Sequence, residues 1–157
     1  MSSERAAGGA DAGAPLRFKT AEEVHRYVSD SGVRQVKLGV TDVDGILRGK
    51  YVSRDKFLGI LEKGFGFCDV IMGWDSNDQL YDNVTYTGWH TGYPDATARV
   101  LPATGRVLPF ENNMPFFLGE LTDAAEAICP RGLLRRVIDK AASMGFAVSE
   151  VTANIRI

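Results

Sequence analysis

The sequence predicts an α+β fold in which a single helix lies across one face of a mixed sheet, with a further helix at either end. Three observations carry that expectation. In VRQVKLGV, the apolar Val36, Leu38 and Val40 alternate with Gln35, Lys37 and Gly39, the period of two expected of a half-buried strand. DVDG then supplies turn residues and ILRGKYV returns as a second strand, so the pair forms a hairpin. Directly after it, RDKFLGILEK sets Phe57, Ile60 and Leu61 on one helical face, between Ser53 as the N-terminal cap and Gly64 as the stop.

The remaining elements follow in chain order. MSSERAAGGADAGAP is rich in small and polar residues and has nothing to pack, so residues 1–15 are expected to be a disordered tail. A leading helix starts at Thr20, with Glu23 three residues on as a capping box; Val24, Tyr27 and Val28 form its apolar face and Gly32 ends it. Residues 65–96 lose all periodicity and mix Gly, Asp and Asn with aromatics, which marks a long functional loop rather than plain disorder. TARVL and RVLPF flank PATG and predict a second hairpin, and MPFFLGEL alternates as a third strand of that group. TDAAEAIC is expected to be a linker. PRGLLRRVIDKAASMG is a helix, with Pro130 in its first turn, Leu134, Val137, Ile138 and Ala141 on one stripe, and Gly145 as its stop. FAVSEVTANIRI is expected to be a short strand or tail. Hairpin, helix, long loop and strand group together have the order of a β-grasp, ubiquitin-like domain. The expected divisions are a tail over 1–15, the β-grasp over 16–121, and over 122–157 a linker with the start of something further.

Composition narrows the function classes. The chain has 157 residues, 45% of them hydrophobic and 24% charged, which is enough to bury a core without staples. A net charge of −2, with no basic run, gives no electrostatic footprint for nucleic acid or an anionic membrane, so neither is expected as a partner. Cys68 and Cys129 stand in unrelated contexts without metal-ligand spacing. With no signal-like or long apolar segment, the expected location is the cytoplasm.

The most suggestive motif is TDVDGILRGK, Thr41 to Lys50. Two aspartates one residue apart after a strand, then glycine, match the opening of haloacid-dehalogenase-type phosphatases. Ile46 stands where that chemistry needs a hydroxyl, and the later carboxylates for Mg²⁺ have no matching context. Asp42 and Asp44 are therefore expected to be turn residues whose side chains bond the turn's backbone. The phosphatase is kept as a distant third reading, and a calcium loop fails: Gly45 follows Asp44 directly, and WDSNDQLYDN lacks the glycine that such a turn requires.

Taken together and in order, TDVDGILRGK, the helix after Ser53, GFGFCDVIMGWDSND, YPDATARVLP, MPFFLGEL and CPRGLLRRVIDKAASMGF resemble the N-terminal part of glutamine synthetase-family enzymes over residues 33–146. WDSNDQLYDN and TGWHTGYPDA look like the divergent branch that acts on amines. The resemblance implies a β-grasp domain followed by the first helix of a larger catalytic domain, here truncated. It implies ATP, Mg or Mn and glutamate on the catalytic domain, with ammonia or an amine as the second substrate. It further implies homo-oligomeric rings in which each active site lies between one subunit's catalytic domain and its neighbour's β-grasp. In the family, an aspartate in the loop after the β-grasp helix borders the neighbour's ammonium site; Asp69 or Asp75 is the candidate here, against the plainer reading of a solvated loop residue. The family's first metal-binding glutamates lie on the strand that here reads FAVSEVTANIRI, where Glu150 is the only glutamate and its surroundings depart from the pattern. No metal or cofactor residue is therefore expected in this chain, and it is expected to be inactive alone. The alternative is a stand-alone β-grasp interaction module that docks on full-length relatives.

For the other conspicuous residues the structural reading leads. Trp74 and Trp89 are expected to anchor the loop on the core or a subunit neighbour, although either offers a cation–π face to an amine. His90 is expected to be structural, and His25 has no visible partner. Arg48 and Lys50 are suited to an anionic group, but alternation puts them on the polar side of the first hairpin, and solvation is the expected default. Arg131, Arg135 and Arg136 are expected on a solvated or inter-subunit face.

Overall fold

The computed structural model describes residues 15–148; the expected tail before Pro15 and the stretch holding Glu150 lie outside it. α1 (Ala21–Asp30) begins where the Thr20 hydroxyl accepts the Glu23 N–H at 3.3 Å. Glu23 returns its carboxylate to the N–H of Lys19 at 2.6 Å, one residue earlier than a standard capping box. Val24 and Val28 are its buried side chains, and Gly32, with φ of +67°, turns the chain away.

β1 (Gln35–Thr41) and β2 (Leu47–Ser53) form the expected antiparallel hairpin, in register from Gln35 opposite Ser53 to Thr41 opposite Leu47. Ser53 then caps α2 (Arg54–Lys63) by accepting the Lys56 N–H. Gly64 ends α2 at φ +74°, and a Cβ there would sit 2.6 Å from the Ala98 carbonyl oxygen, so this position requires glycine twice over. β3 (Phe65–Cys68) follows, then a 3₁₀ turn over Asp69–Met72 and the long loop to residue 94.

The second strand group differs from expectation. β4 (Asp95–Val100) and β5 (Arg106–Leu108) do not pair with each other across PATG. Both pair antiparallel with β6 (Met114–Leu121), with Ala98 opposite Leu121 and Leu108 opposite Met114. They are one strand interrupted by a 3₁₀ turn at Pro102–Thr104. The interruption stays in the ladder: the Leu101 N–H reaches the Leu118 carbonyl at 2.9 Å, and the Thr104 hydroxyl accepts the Leu118 N–H at 2.9 Å. The reversal comes later, through Asn112 and Asn113, both left-handed.

β6 also pairs parallel with β1, giving the order β2-β1-β6-β4-β3 with β5 on the β4 side of β6. The sheet is curled. The two end strands, β2 and β3, approach closely enough for Lys50 to donate to the Gly66 carbonyl while its ammonium lies 5.1 Å from the Phe67 ring centre. α1 and α2 cover one face. Phe57 and Phe117, both fully buried, stack at 5.3 Å among Val24, Val28, Leu38 and Val40. This is the α+β, β-grasp arrangement the sequence predicts. The expected linker over TDAAEAIC is a 3₁₀ segment, Asp123–Ile128, with Ala125 buried, and α3 (Pro130–Ser143) follows.

Candidate functional site

The loop from Asp69 to Pro94 carries both aspartates singled out from the sequence, and they have different surroundings. Asp69 opens the 3₁₀ turn after β3, where its N–H donates to the Pro94 carbonyl at 2.9 Å and ties the loop's two ends together. Its side chain is 5% exposed, and one carboxylate oxygen accepts the hydroxyl of Thr87, itself 1% exposed, at 2.7 Å. Asp69 forms part of the wall of a half-open pocket of about 240 Å³ of mixed lining, with Tyr86, Asp95 and Thr97 beside the apolar Ala96, Ala124 and Ala125. Burial raises the Tyr86 phenol above its ordinary range, and the Asp69 charge adds to that, so the phenol stays protonated at neutral pH.

Asp75 is a turn residue. One of its oxygens accepts the N–H groups of Asn77 at 2.8 Å and Gln79 at 2.9 Å, while its own N–H donates to the Gln79 carbonyl. Those bonds shape the turn whose ends are the bridged Trp74 and Leu80. Asp69 and Asp75 share no hydrogen-bond partner among the described residues.

TDVDG is a turn, as expected, but of its two aspartates Asp42 makes the bonds to the turn's backbone while Asp44 is exposed. Asp42 is fully buried; one oxygen accepts the N–H of Asp44 at 3.0 Å and of Ile46 at 2.8 Å, and the other accepts Arg48 Nε at 2.7 Å. Arg48 is thus not solvated as expected. It spans Asp42 and Asp78, the latter at 2.7 Å, and lies over the Trp74 ring at 5.0 Å. The hydrogen bonds to Asp42 and then Asp78 hold its guanidinium above even its ordinary range. The clamp fastens the Asp75 turn to the first hairpin, helped by the Val43 N–H donating to the Ile71 carbonyl. Lys50 is likewise held in the curl of the sheet, and burial pushes its ammonium below the ordinary lysine range despite the nearby Asp95.

Trp74 packs against the core as expected, whereas Trp89 is 84% exposed, with its ring against the edge of Tyr93, so it does not anchor the loop on the core. His90 donates from Nε2 to the Thr85 carbonyl at 3.0 Å, the structural role expected of it, and His25 has Ser29 Oγ 3.5 Å from Nδ1. Arg135 and Arg136 are exposed, as expected, and each also has a partner within the chain. Arg135 pairs with Glu120, which is 1% exposed and also accepts Arg99 at 3.0 Å, and Arg136 donates to the Ala127 carbonyl at 3.0 Å.

Sequence reasoning missed Thr87, Glu120 and the Arg48 clamp. Glu120 alone left a signal, as the one acid in the apolar run of β6. Among the described residues, no three of His, Cys, Asp and Glu come together in a way that suits a metal ion, and the carboxylates of the first hairpin and the Asp75 turn are already taken up by backbone and arginine donors. No described helix is long and apolar enough to cross a membrane.

No protein-family model matches the chain. Among curated proteins it is 50% identical over 108 residues to type-1 glutamine synthetase 2 of Dictyostelium discoideum, a match covering 67% of this chain and 21% of that protein. It is 30% identical to glutamate–isopropylamine ligase of a Pseudomonas species, over 79% of this chain and 28% of the ligase. It is also 30% identical to gamma-glutamylethanolamide synthetase GlnA4 of Streptomyces coelicolor, over 80% of this chain and 28% of the synthetase. The chain therefore spans about a fifth to just over a quarter of the length of these relatives. Among solved structures, Plasmodium falciparum glutamine synthetase superimposes with a TM-score of 0.60 at 17% identity, over 83% of this chain and 24% of that one. Ligand-free GmaS gives 0.56 at 18% identity, over 77% and 26%. At such identities the structural likeness speaks for the fold.

Proposed function

We propose, from the premise that the chain belongs to the glutamine synthetase family, that it is the N-terminal portion of an ATP-dependent ligase that joins the γ-carboxylate of glutamate to ammonia or an amine. In this reading its sheet domain lines the amine side of a neighbouring subunit's active site in a homo-oligomer.

The observation that carries the site reading is Asp69: a carboxylate almost wholly buried, held by one hydroxyl, on the wall of a small pocket of mixed polar and apolar lining. A carboxylate so placed stabilises an ammonium ion and accepts its proton, leaving the free amine to attack an activated acyl group. Asp75 fits the role less well, because its oxygen is occupied by two backbone N–H groups that define its turn. Among the described residues no three of His, Cys, Asp and Glu come together to suit Mg or Mn, and this reading assigns ATP and the metal to the rest of the full-length enzyme, with no step routed through them here. The amines in the names of the Pseudomonas and Streptomyces relatives, isopropylamine and ethanolamine, are small enough for a cavity of about 240 Å³.

The test is a chimera in which residues 16–121 replace the corresponding stretch of the Dictyostelium relative. It should assemble and hydrolyse ATP in a manner dependent on glutamate and on ammonia or a small amine. In that chimera, Asp69→Asn should raise the KM for the amine by about tenfold or more and leave the KM for glutamate unchanged. Asp75→Asn should lower the melting temperature with little change in either KM. An assembled but inactive chimera would sink the ligase reading, and an unchanged amine KM in the Asp69→Asn form would sink the role of Asp69.

A further inference from the structure

We propose that Thr87 is a positioning residue for the amine site: it fixes the direction of the Asp69 carboxylate, and Gly73 supplies the room that lets it do so. The inference rests on the ligase reading for what Asp69 does, and on geometry alone for how Asp69 is held. Three carboxylates are buried among the described residues, Asp42, Asp69 and Glu120. Asp42 and Glu120 each meet arginine, whereas Asp69 meets no cation among the described residues. Its side-chain partner is the hydroxyl of Thr87, 18 residues away in the chain. That suits a carboxylate whose counter-charge is an ammonium that arrives and leaves.

Thr87 uses both substituents on its Cβ. The hydroxyl donates to one Asp69 oxygen at 2.7 Å. The methyl lies so close over Gly73 that a Cβ there would come within 2.7 Å of it. One torsion turns both groups of a β-branched side chain, so seating the methyl also aims the hydroxyl. Gly73 has a φ of −125°, open to any residue, so glycine is needed here for space and not for backbone freedom. The other neighbours of such a Cβ are at 3.6 Å or beyond, ordinary contact. The Asp69 backbone is already tied to the Pro94 carbonyl, which leaves its side-chain torsions as the freedom that Thr87 removes. With one oxygen held, the second has no hydrogen-bond partner among the described residues, and the carboxylate is preset on the pocket wall.

A mutant cycle in the chimera of residues 16–121 tests this. Thr87→Val keeps the shape and the seated methyl but removes the donor. It should raise the KM for the amine about fivefold and leave the KM for glutamate unchanged. Thr87→Ser restores a donor and should bring the amine KM back to within about twofold of the parent. Gly73→Ala leaves Asp69 and Thr87 themselves in place, yet it should reproduce the Thr87→Val effect by pushing the methyl aside. In the Thr87→Ser background there is no methyl to push, so Gly73→Ala should add nothing; a general loss of stability would instead make the two changes add. An additive pair, or an unchanged amine KM in the Thr87→Val form, overturns the proposal. If Asp69→Asn still raises that KM, the ligase reading survives the loss. Where Asp69→Asn itself has no effect, the reading of Asp69 fails first and the role of Thr87 falls with it. A second measurement needs no activity: three-bond NMR couplings of Thr87 in the 157-residue chain. They should report a single χ1 rotamer that Gly73→Ala disturbs, and rotamer averaging in the natural chain would also overturn the proposal.

Discussion

At the scale of single residues, Asp42 is the most heavily committed side chain of the molecule. It accepts two backbone N–H groups and the Arg48 guanidinium with no exposure to water. Asp42→Ala strands those donors and should cost about 3 kcal/mol in urea unfolding. Asp44→Ala, exposed at the same turn, should cost under about 0.5 kcal/mol. The Lys37–Glu111 pair makes a prediction about pH. Hydrogen bonds from Lys37 and then Tyr51 hold the Glu111 carboxyl below its ordinary 4.5, and Glu111 in turn raises the Lys37 ammonium above 10.5. The pair's contribution is therefore complete between those values. It is lost on the acid side as pH falls through the lowered Glu111 value, and on the alkaline side as pH rises through the raised Lys37 value. The melting-temperature gap between the natural chain and Glu111→Gln should be widest near neutrality and close at both ends; a gap that stays constant down to pH 2.5 contradicts the pairing. The aspartate turn was readable from sequence because Asp and Gly act on their immediate neighbours. Arg48 and Lys50 were not, since alternation along β2 says only that they share a face, and their partners Asp78 and Gly66 arrive from loop and strand that no local pattern places.

At the scale of elements, α1, α2, β1, β2 and β6 follow from periodicity and caps, because each is specified within its own length. The β4–β5 misreading has a definite cause. Pro and Gly announce an interruption of a strand but not its direction, and what keeps the chain running straight is the Thr104 hydroxyl meeting the Leu118 N–H, a contact across 14 residues. The junction of α2 and β3 yields a sharp test. Gly64→Ala introduces a Cβ within 2.6 Å of a backbone oxygen at a left-handed φ, and the strand carrying that oxygen is fixed in the sheet. The variant should lose more than about 2 kcal/mol by chemical denaturation. Gly32→Ala also has a positive φ, but its Cβ meets nothing within 4 Å, so it should lose about half as much.

At the scale of the whole molecule, the sheet domain and α3 differ in how they are held. The first has a continuous apolar core; the second is attached through Glu120, which Arg99 and Arg135 reach from opposite elements. Raising salt from about 0.1 to 1 M screens partly exposed arginines far more than it weakens buried apolar contacts. Amide exchange in α3 should accelerate severalfold while β1 and β6 stay protected. Arg135→Ala should produce the same local loosening at low salt, and uniform acceleration across the chain would contradict this division. The amphipathic character of α3 was legible in the sequence, whereas its lack of an apolar partner within the described chain was not, since a stripe of leucines looks the same covered or bare.

The position of β6 has a consequence for how the domain is made. β6 is the middle strand, contacting β1 on one side and β4 and β5 on the other, yet it is the last strand of the sheet to leave the ribosome. Until residue 121 is available, the β1–β2 hairpin and α2 have only half a core, and the pairing of Leu38 with Phe117 must close a loop of nearly 80 residues. Synthesis therefore holds the domain open until almost all of it exists, and folding then proceeds by insertion of one strand between two waiting edges.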